Sequence, residues 1–481
     1  MTNERIDKKK QVFWYNFANY FSYFLVFISI AFLYDINIDM VGKIKYVESI
    51  AAILMPFLTL GLSQAFVNFL PILEDYHGKT LYGVSLSLVF FTSCLVAVAL
   101  ILINFFVPIT NFSYYIYGVI IASAISFLEI IKSRAITLNK VTLPVLFEKI
   151  SPKFFLIVIL LVFGKLSYDS NVFLKYYSIF YFVIVLYLFA HINKFSRPRF
   201  SFKAEHLFEN FDKKDLYKYM FFSVLASSLS FLAFKLEGVI IPLFFSMKAN
   251  GLFSIAMFVS SFVALPAGAI FAVNAPKVSG LMKSESYQEL NEIYKEVAKF
   301  IFYKCYVILS ILICVLPQIV NYYYKTNIDY LELVPVILFL SIGSIFAVST
   351  GFNNEIIMFS PFYKYNYIFT GVLVFVNLGM FYYFLNYTDL KLVGIAIAVS
   401  SSIIIFNLLK MLFVYSKFKM LPVDIKYFFL FLFMSIILIL VYIIPSSKIL
   451  FVDVAIKVFL IIGLNYLMRR LTRFIKMKKV I

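Results

Sequence analysis

Leu81-Tyr-Gly-Val-Ser-Leu-Ser-Leu-Val-Phe-Phe-Thr-Ser-Cys-Leu-Val-Ala-Val-Ala-Leu-Ile-Leu-Ile-Asn-Phe-Phe106 contains no Asp, Glu, Lys or Arg. Coiled as an α-helix, a run of this length crosses the roughly 30 Å of hydrocarbon in a bilayer. Only helices and closed barrels satisfy every backbone N–H and C=O group in lipid, and barrel strands alternate polar with apolar residues. This run does not alternate, so it reads as a transmembrane helix. Working outward from it, similar runs recur along the whole chain. About 14 spans result: 12–33, 46–70, 81–106, 114–134, 142–164, 173–193, 218–245, 252–274, 298–320, 331–350, 366–386, 391–414, 427–445 and 451–468. Composition agrees. The 481 residues are 63% hydrophobic and only 14% charged, whereas soluble domains carry about 25% charged residues. The fold class is therefore an all-α polytopic membrane protein.

The formal charge is +18, which elsewhere would suggest a nucleic-acid partner. Here the basic residues sit between apolar spans rather than on a soluble face, which excludes nucleic acid and fits topology signals and contacts to membrane lipids. With the N-terminus inside, cytoplasmic segments collect about 27 Lys and Arg and external loops about 7. Both termini are thus expected in the cytoplasm and the protein in a bacterial inner (cytoplasmic) membrane. The run before the first span, with Arg5, Lys8, Lys9 and Lys10, and the tail, with Arg469, Arg470, Arg473, Lys476, Lys478 and Lys479, fit this orientation.

Several chemistries drop out. Cys94, Cys305 and Cys314 lie in apolar runs, and His77, His191 and His206 are scattered, so neither a metal site nor a catalytic constellation forms. Gly78-Lys79-Thr80 ends like a P-loop, but Leu73 stands where the first glycine belongs. No cofactor, no metal and no enzymatic activity are expected, and no external loop exceeds about a dozen residues. Function must reside within the bundle or at its cytoplasmic face, driven by an ion gradient, the membrane potential or a partner.

The longest polar stretch, 194–217, interleaves Arg197, Arg199, Lys203, Lys213 and Lys214 with Phe200, Phe202, Leu207, Phe208 and Phe211. It suits an amphipathic cytoplasmic linker lying in the interface. A shift of 205 residues sets Phe57, Leu60, Phe66 and Pro71 over Phe262, Leu265, Phe271 and Pro276, and the first span over the seventh. Internal repeats of this kind are common in secondary transporters. The expected organisation is an N-lobe, 1–193; the linker, 194–217; a C-lobe, 218–414; and two extra spans with a basic tail, 415–481.

Charges inside spans are costly in lipid and mark cavities or partners. Span seven carries Lys235 and Glu237, two residues apart and so on different faces. They read either as a substrate-facing ammonium and an ion-coupling carboxylate or as members of structural interhelical ion pairs. Span five carries Glu148, Lys149 and Lys153 with Pro144 and Pro152. Lys149 and Lys153, at i and i+4, share one face, and Pro152 bends the helix. A basic face in a bent helix suits an anionic pyrophosphate; alternatively the span begins later and these residues are cytoplasmic. Gln64 and Asn68, near the end of span two, line a cavity or bond between helices. Lys304, Lys410 and Glu129 lie near cytoplasmic span ends, where long basic side chains can snorkel.

Three stretches then take on meaning together: Gly61-Leu-Ser-Gln-Ala65 through Pro71; Glu237 through Leu281, with Gly251-Leu-Phe-Ser254-Ile-Ala256, Pro266-Ala-Gly-Ala-Ile and Ala275-Pro276-Lys-Val-Ser279; and Gly394-Ile-Ala-Ile-Ala398. In order and spacing they resemble the multidrug/oligosaccharidyl-lipid/polysaccharide exporter superfamily, and within it the Wzx-type polysaccharide flippases. Two departures are Asn68 where members often carry a basic residue, and Glu237-Gly238 where they often carry Asp followed by a basic residue. The resemblance implies two six-helix lobes in a V plus two C-terminal helices. It implies a flippase that moves a polyprenyl-pyrophosphate-linked oligosaccharide across the membrane by alternating access. On that reading Lys149, Lys153, Lys235, Gln64 and Asn68 bind substrate, and Glu237 and Glu148 exchange H+ or Na+. Other polysaccharide-assembly proteins would be partners. A multidrug/cation antiporter and a lipid II flippase of the same superfamily, and a membrane polysaccharide polymerase, are the rival readings.

Overall fold

The computed structural model describes residues 14, 17–33, 36–69, 75–138, 140–164, 170–200, 213–323, 328–445 and 449–472. The basic N-terminal run, Pro71, residues 201–212 of the expected linker and the tail beyond Thr472 lie outside the described residues. Regular structure among those described is helical throughout. Eleven of the described helices are long and apolar enough to cross a membrane, and Phe17–Ile28 is a shorter apolar helix. Two further helices of 22 residues each, Ile38–Thr59 and Thr142–Phe163, carry Lys45, Glu48, Glu148, Lys149 and Lys153. The chain is a multi-pass membrane protein, and its surface says so: Phe90, Phe91, Leu95, Val98, Ile101 and Leu102 are all more than half exposed along one helix, which only a hydrocarbon solvent tolerates.

Two compact units divide the chain, Met1–Gly251 and Leu252–Ile481. The first begins with α1 (Phe17–Ile28) and α2 (Ile38–Thr59), which starts where the Asn37 side chain accepts from the Met40 N–H at 2.9 Å. Leu60 and Gly61 end it, both in the left-handed region, which favours glycine at the second position. Then follow α3 (Leu62–Phe69), α4 (Asp75–Phe106), α5 (Phe112–Thr137), α6 (Thr142–Phe163), α7 (Ser170–Asn193), α8 (Lys213–Lys235) and α9 (Glu237–Phe244). Residues 78–80 lie inside α4 rather than in an inter-span loop, so the P-loop likeness has no strand-to-helix turn to rest on.

α2 is the hub of this unit, packed against α4, α5, α7, α8 and α9. Lipid tails are as apolar as leucine, so helices in a membrane associate through close packing and hydrogen bonds rather than through hydrophobic burial. The hub shows how. A Cβ on Gly42 would lie 1.7 Å from the Met247 carbonyl oxygen, and one on Gly251 would lie 2.3 Å from that of Ile38. The two backbones therefore touch at glycine, and Asn250 seals the junction by donating to the Gly42 carbonyl at 2.9 Å. The Gly251 of the sequence motif thus has a physical task.

α10 (Met247–Ser261) leads into the second unit, which continues with α11 (Leu265–Lys283), α12 (Tyr287–Tyr323), α13 (Ile328–Ser349), α14 (Asn353–Met358), α15 (Tyr365–Tyr387), α16 (Lys391–Phe418), α17 (Ile425–Ile443) and α18 (Leu450–Thr472). α12 is its central post, touching α11, α13, α17 and α18, while α16 packs between α13 and α15. The core gathers Leu290, Tyr294, Val297, Ile301, Cys305 and Phe352. Cys305 and Cys314 are buried packing residues there.

Candidate functional site

In the first unit a charged cluster forms around Glu48. Lys45 and Glu48 lie at i and i+3 on α2 and pair at 2.7 Å. The second Glu48 oxygen accepts from the Tyr177 hydroxyl of α7. Tyr177 and Tyr181, one turn apart on α7, meet edge to face at 5.3 Å between ring centroids. Both are buried. α6 closes the cluster: Phe155 stacks on Phe180 at 3.8 Å, and Lys153 interacts electrostatically with Lys45, Glu48, Lys149 and Glu148. Lys149 donates to Asn19 of α1 at 2.5 Å. Pro152, inside α6, has no N–H to offer the Glu148 carbonyl, so the helix ladder is interrupted beside the basic pair. Three ammonium groups against two carboxylates leave the cluster cationic.

Next to it lies a cavity of about 540 Å³. Thr59 of α2, Ser63 and Gln64 of α3, Glu129 and Lys132 of α5 and Ser227 of α8 contribute polar groups to its wall. The Gln64 amide donates to the Ser227 hydroxyl at 2.8 Å. Lys132 pairs with Glu129 on its own helix and reaches Glu148 of α6 at 2.9 Å. Glu148 is therefore tied to Lys132 of the cavity wall and lies in the field of Lys153.

Among the residues singled out in the sequence, the structure brings Glu148, Lys149 and Lys153 together and puts Gln64 on the cavity. Asn68 sits in α3, but its side chain lies outside what is described. Lys235 and Glu237 flank a break at Leu236 that separates α8 from α9. Lys235 is exposed and Glu237 buried, and no ion pair joins them among the described residues. Glu237 is held against α2, where a Cβ on the adjacent Gly238 would lie 2.1 Å from the Ser49 hydroxyl. Lys410 does not snorkel: it is buried, donates to Asn354 at 3.0 Å and lies 4.1 Å from the Phe406 ring centroid. Nearby, burial raises the carboxyl of Glu355, in the short α14 between spans, above the usual carboxylate range; its backbone N–H and Lys410 partly offset this. Lys304 is exposed, with its ammonium 5.8 Å from the Phe300 ring centroid.

Lys45, Glu48, Tyr177 and Lys132 were not singled out. The sequence map began span two at residue 46 and so left Lys45 in a loop, whereas α2 starts at Ile38. The i,i+4 pair Asp39/Lys43 and the i,i+3 pair Lys45/Glu48 were the available signal, since such spacings stabilise a helix.

A multidrug resistance MATE family transporter of the MOP superfamily, in an inward-facing conformation, superposes with a TM-score of 0.64 at 14% identity, over 84% of this chain and 94% of its own. The lipid II flippase MurJ, in an inward closed conformation, gives 0.65 at 16% identity, over 95% and 98%. A MOP superfamily transporter from Pyrococcus furiosus, described as having a binding pocket of reversed polarity, gives 0.54 at 14%, over 86% and 95%. The chain has the MOP-superfamily fold. No protein-family model and no curated protein matches the sequence, so the likeness is one of fold. Within the MOP fold the cationic cluster is built on α2, α6 and α7 and the cavity on α2, α3, α5 and α8.

Proposed function

We propose that this protein is a flippase that carries a polyprenyl-pyrophosphate-linked oligosaccharide repeat unit from the cytoplasmic to the outer leaflet of a bacterial inner membrane by alternating access. The observation that carries the reading is the cluster of Lys45 and Lys153 around Glu48, with Lys149 in the field of Lys153. Charged groups at span depth are costly and persist where they serve a path or a ligand. A pyrophosphate is the anion that lysines acting as point charges hold well. With no substrate bound, Glu48 occupies Lys45 and lowers the cost of keeping the site cationic. The sugar head cannot cross hydrocarbon unaided and needs a polar route, whereas the polyprenyl tail is as apolar as the bilayer. Glu148, Glu237 and Glu48 are the carboxylates available to exchange H+ or Na+ as the lobes rock. The charge bias of the loops supports an orientation with both termini in the cytoplasm, and other polysaccharide-assembly proteins are the natural partners.

A wall-precursor flippase is the second reading. It is supported by the likeness to the lipid II flippase MurJ, which runs over 95% of this chain and 98% of that one. Both substrates carry the same pyrophosphate, so the cluster serves either.

Deleting the gene in its host and extracting lipid-linked sugars from each leaflet tests the proposal. Complete polyprenyl-pyrophosphate units held on the cytoplasmic leaflet, with loss of surface polysaccharide, are expected. Accumulation of lipid II instead selects the second reading. Units that reach the outer leaflet but stay unpolymerised sink the flippase and revive the polymerase. Unchanged lipid-linked sugars put a drug exporter first.

A further inference from the structure

Polar and apolar groups share the cavity wall: it offers the Thr59, Ser63 and Ser227 hydroxyls and the Gln64 amide beside apolar Met55, Pro56 and Phe231. Val224, Ser227 and Phe231 fall at i, i+3 and i+7, so α8 presents them along one face. Charge in the wall is self-compensated: Lys132 is held by Glu129 and by Glu148. A site with one lysine shared between two carboxylates has little to offer a free anion, and carboxylates already paired with that lysine have little to offer a cation. They retain lone pairs that accept from hydroxyl groups. Its volume, about 540 Å³, lies within the roughly 300–1,000 Å³ usual for small-ligand sites.

We infer that this cavity binds the uncharged sugar portion of the carried molecule, with hydroxyls and carboxylates meeting sugar OH groups and Pro56 and Phe231 meeting the CH faces of the rings. The inference rests on the flippase reading and divides its work: the cationic cluster takes the pyrophosphate, and the cavity takes the saccharide. The geometry connects the two. Glu48 and Pro56 are eight residues apart on α2, about 12 Å along the helix axis, a separation that a short saccharide attached to a pyrophosphate spans. Glu148 joins them laterally, paired to Lys132 in the wall and adjacent in sequence to Lys149 of the cluster.

Two measurements on the full-length protein in detergent test this. The first is binding of two synthetic lipids, polyprenyl pyrophosphate bare and polyprenyl pyrophosphate bearing an N-acetylhexosamine disaccharide. Ser227→Val and Phe231→Ala are expected to weaken the glycosylated lipid about five- to tenfold and to leave the bare lipid unchanged. Lys149→Ala with Lys153→Ala is expected to weaken both. The second is protection of Ser227→Cys, in a Cys94→Ser background, from a water-soluble maleimide by millimolar free disaccharide. Equal loss of both lipids in the cavity variants, or no loss, with no protection, overturns the cavity inference while leaving the flippase standing. Protection by free disaccharide in a protein that binds neither lipid upholds the cavity and overturns the flippase. Neither binding nor protection overturns both.

Discussion

Lysines within the membrane-spanning bundle lead different lives in the two units. In the second, Lys299 has a side chain 2% exposed and is clamped by Glu296 at 2.9 Å and Asp424 at 3.0 Å. Asp424 also caps α17 by accepting from the Tyr427 N–H, so one lysine fixes α12 to the start of the appended helix pair. Lys457 and Asp453 of α18 pair at 3.3 Å with side chains 3% and 5% exposed. In the first unit, Lys45 and Glu48 pair as closely, yet their side chains remain 33% and 23% exposed, and two more lysines share the same field. The difference teaches how to tell a fastening from a site. In a fastening the lysine is buried and met by at least one carboxylate of its own; in the cluster around Glu48 the Lys45 side chain is a third exposed and positive charge is in surplus. The first unit takes its rigidity from backbone contact at Gly42 and Gly251 instead.

The sharpest way to break this contrast is at α18. Lys457→Leu removes the ammonium that pairs with buried Asp453 and is expected to cost about 3–5 kcal/mol, while replacing both residues by leucine is expected to cost less. Thermal unfolding in detergent reads both, and a single variant no worse than the double would show that the pair fastens nothing. Gly42→Val comes next. Its side chain collides with the Met247 carbonyl, and overpacking of this kind costs about 1–3 kcal/mol; an unchanged unfolding midpoint would mean that the glycine contact is not what holds the hub. A smaller, pH-dependent effect is expected for Glu355→Gln. Burial raises the folded-state carboxyl, so the neutral form is the one the fold prefers. The stability it lends is full below the usual glutamate value and is lost as pH rises through the raised one. The glutamine variant should therefore match the wild type in acid and exceed it at neutral pH, and parallel pH–stability curves would contradict this. Smallest of all is Lys153→Ala, with a stability change within about 1 kcal/mol, because the repulsion of Lys45 and Lys149 offsets the attraction of Glu48 and Glu148. In proteoliposomes the same variant should move lipid-linked sugar at least tenfold more slowly. A variant that unfolds easily but transports normally would reverse its assignment from site to fastening.

The architecture was legible in the sequence because lipid imposes a length and a polarity on every span, and residues 81–106 of α4 obey both rules. Legibility fell where helices carry charge. α2 holds Asp39, Lys43, Lys45 and Glu48 in its first half, so hydropathy alone started that span eight residues late and hid Lys45. α6 holds Glu148, Lys149 and Lys153, and hydropathy could not decide whether these were in the span or before it. The cluster draws on residues more than a hundred positions apart, as Glu48 and Tyr177 are, and no local pattern announces such a meeting. Lys410 was misjudged for a related reason: its burial depends on Asn354 and Phe406, which only the packing reveals.

Glu148 has a further consequence. It pairs with Lys132 on one side and lies in the field of Lys153 on the other, so it cannot serve both fully at once. A molecule that draws Lys132 away leaves Glu148 to neutralise its basic neighbours, and one that occupies those neighbours leaves Glu148 to Lys132. Occupancy at either place therefore changes affinity at the other by the same factor, whichever fills first. On the proposed reading a single carboxylate thereby couples the two places in one thermodynamic cycle, and the coupling is antagonistic: whatever commits Glu148 to one lysine makes the other place harder to fill.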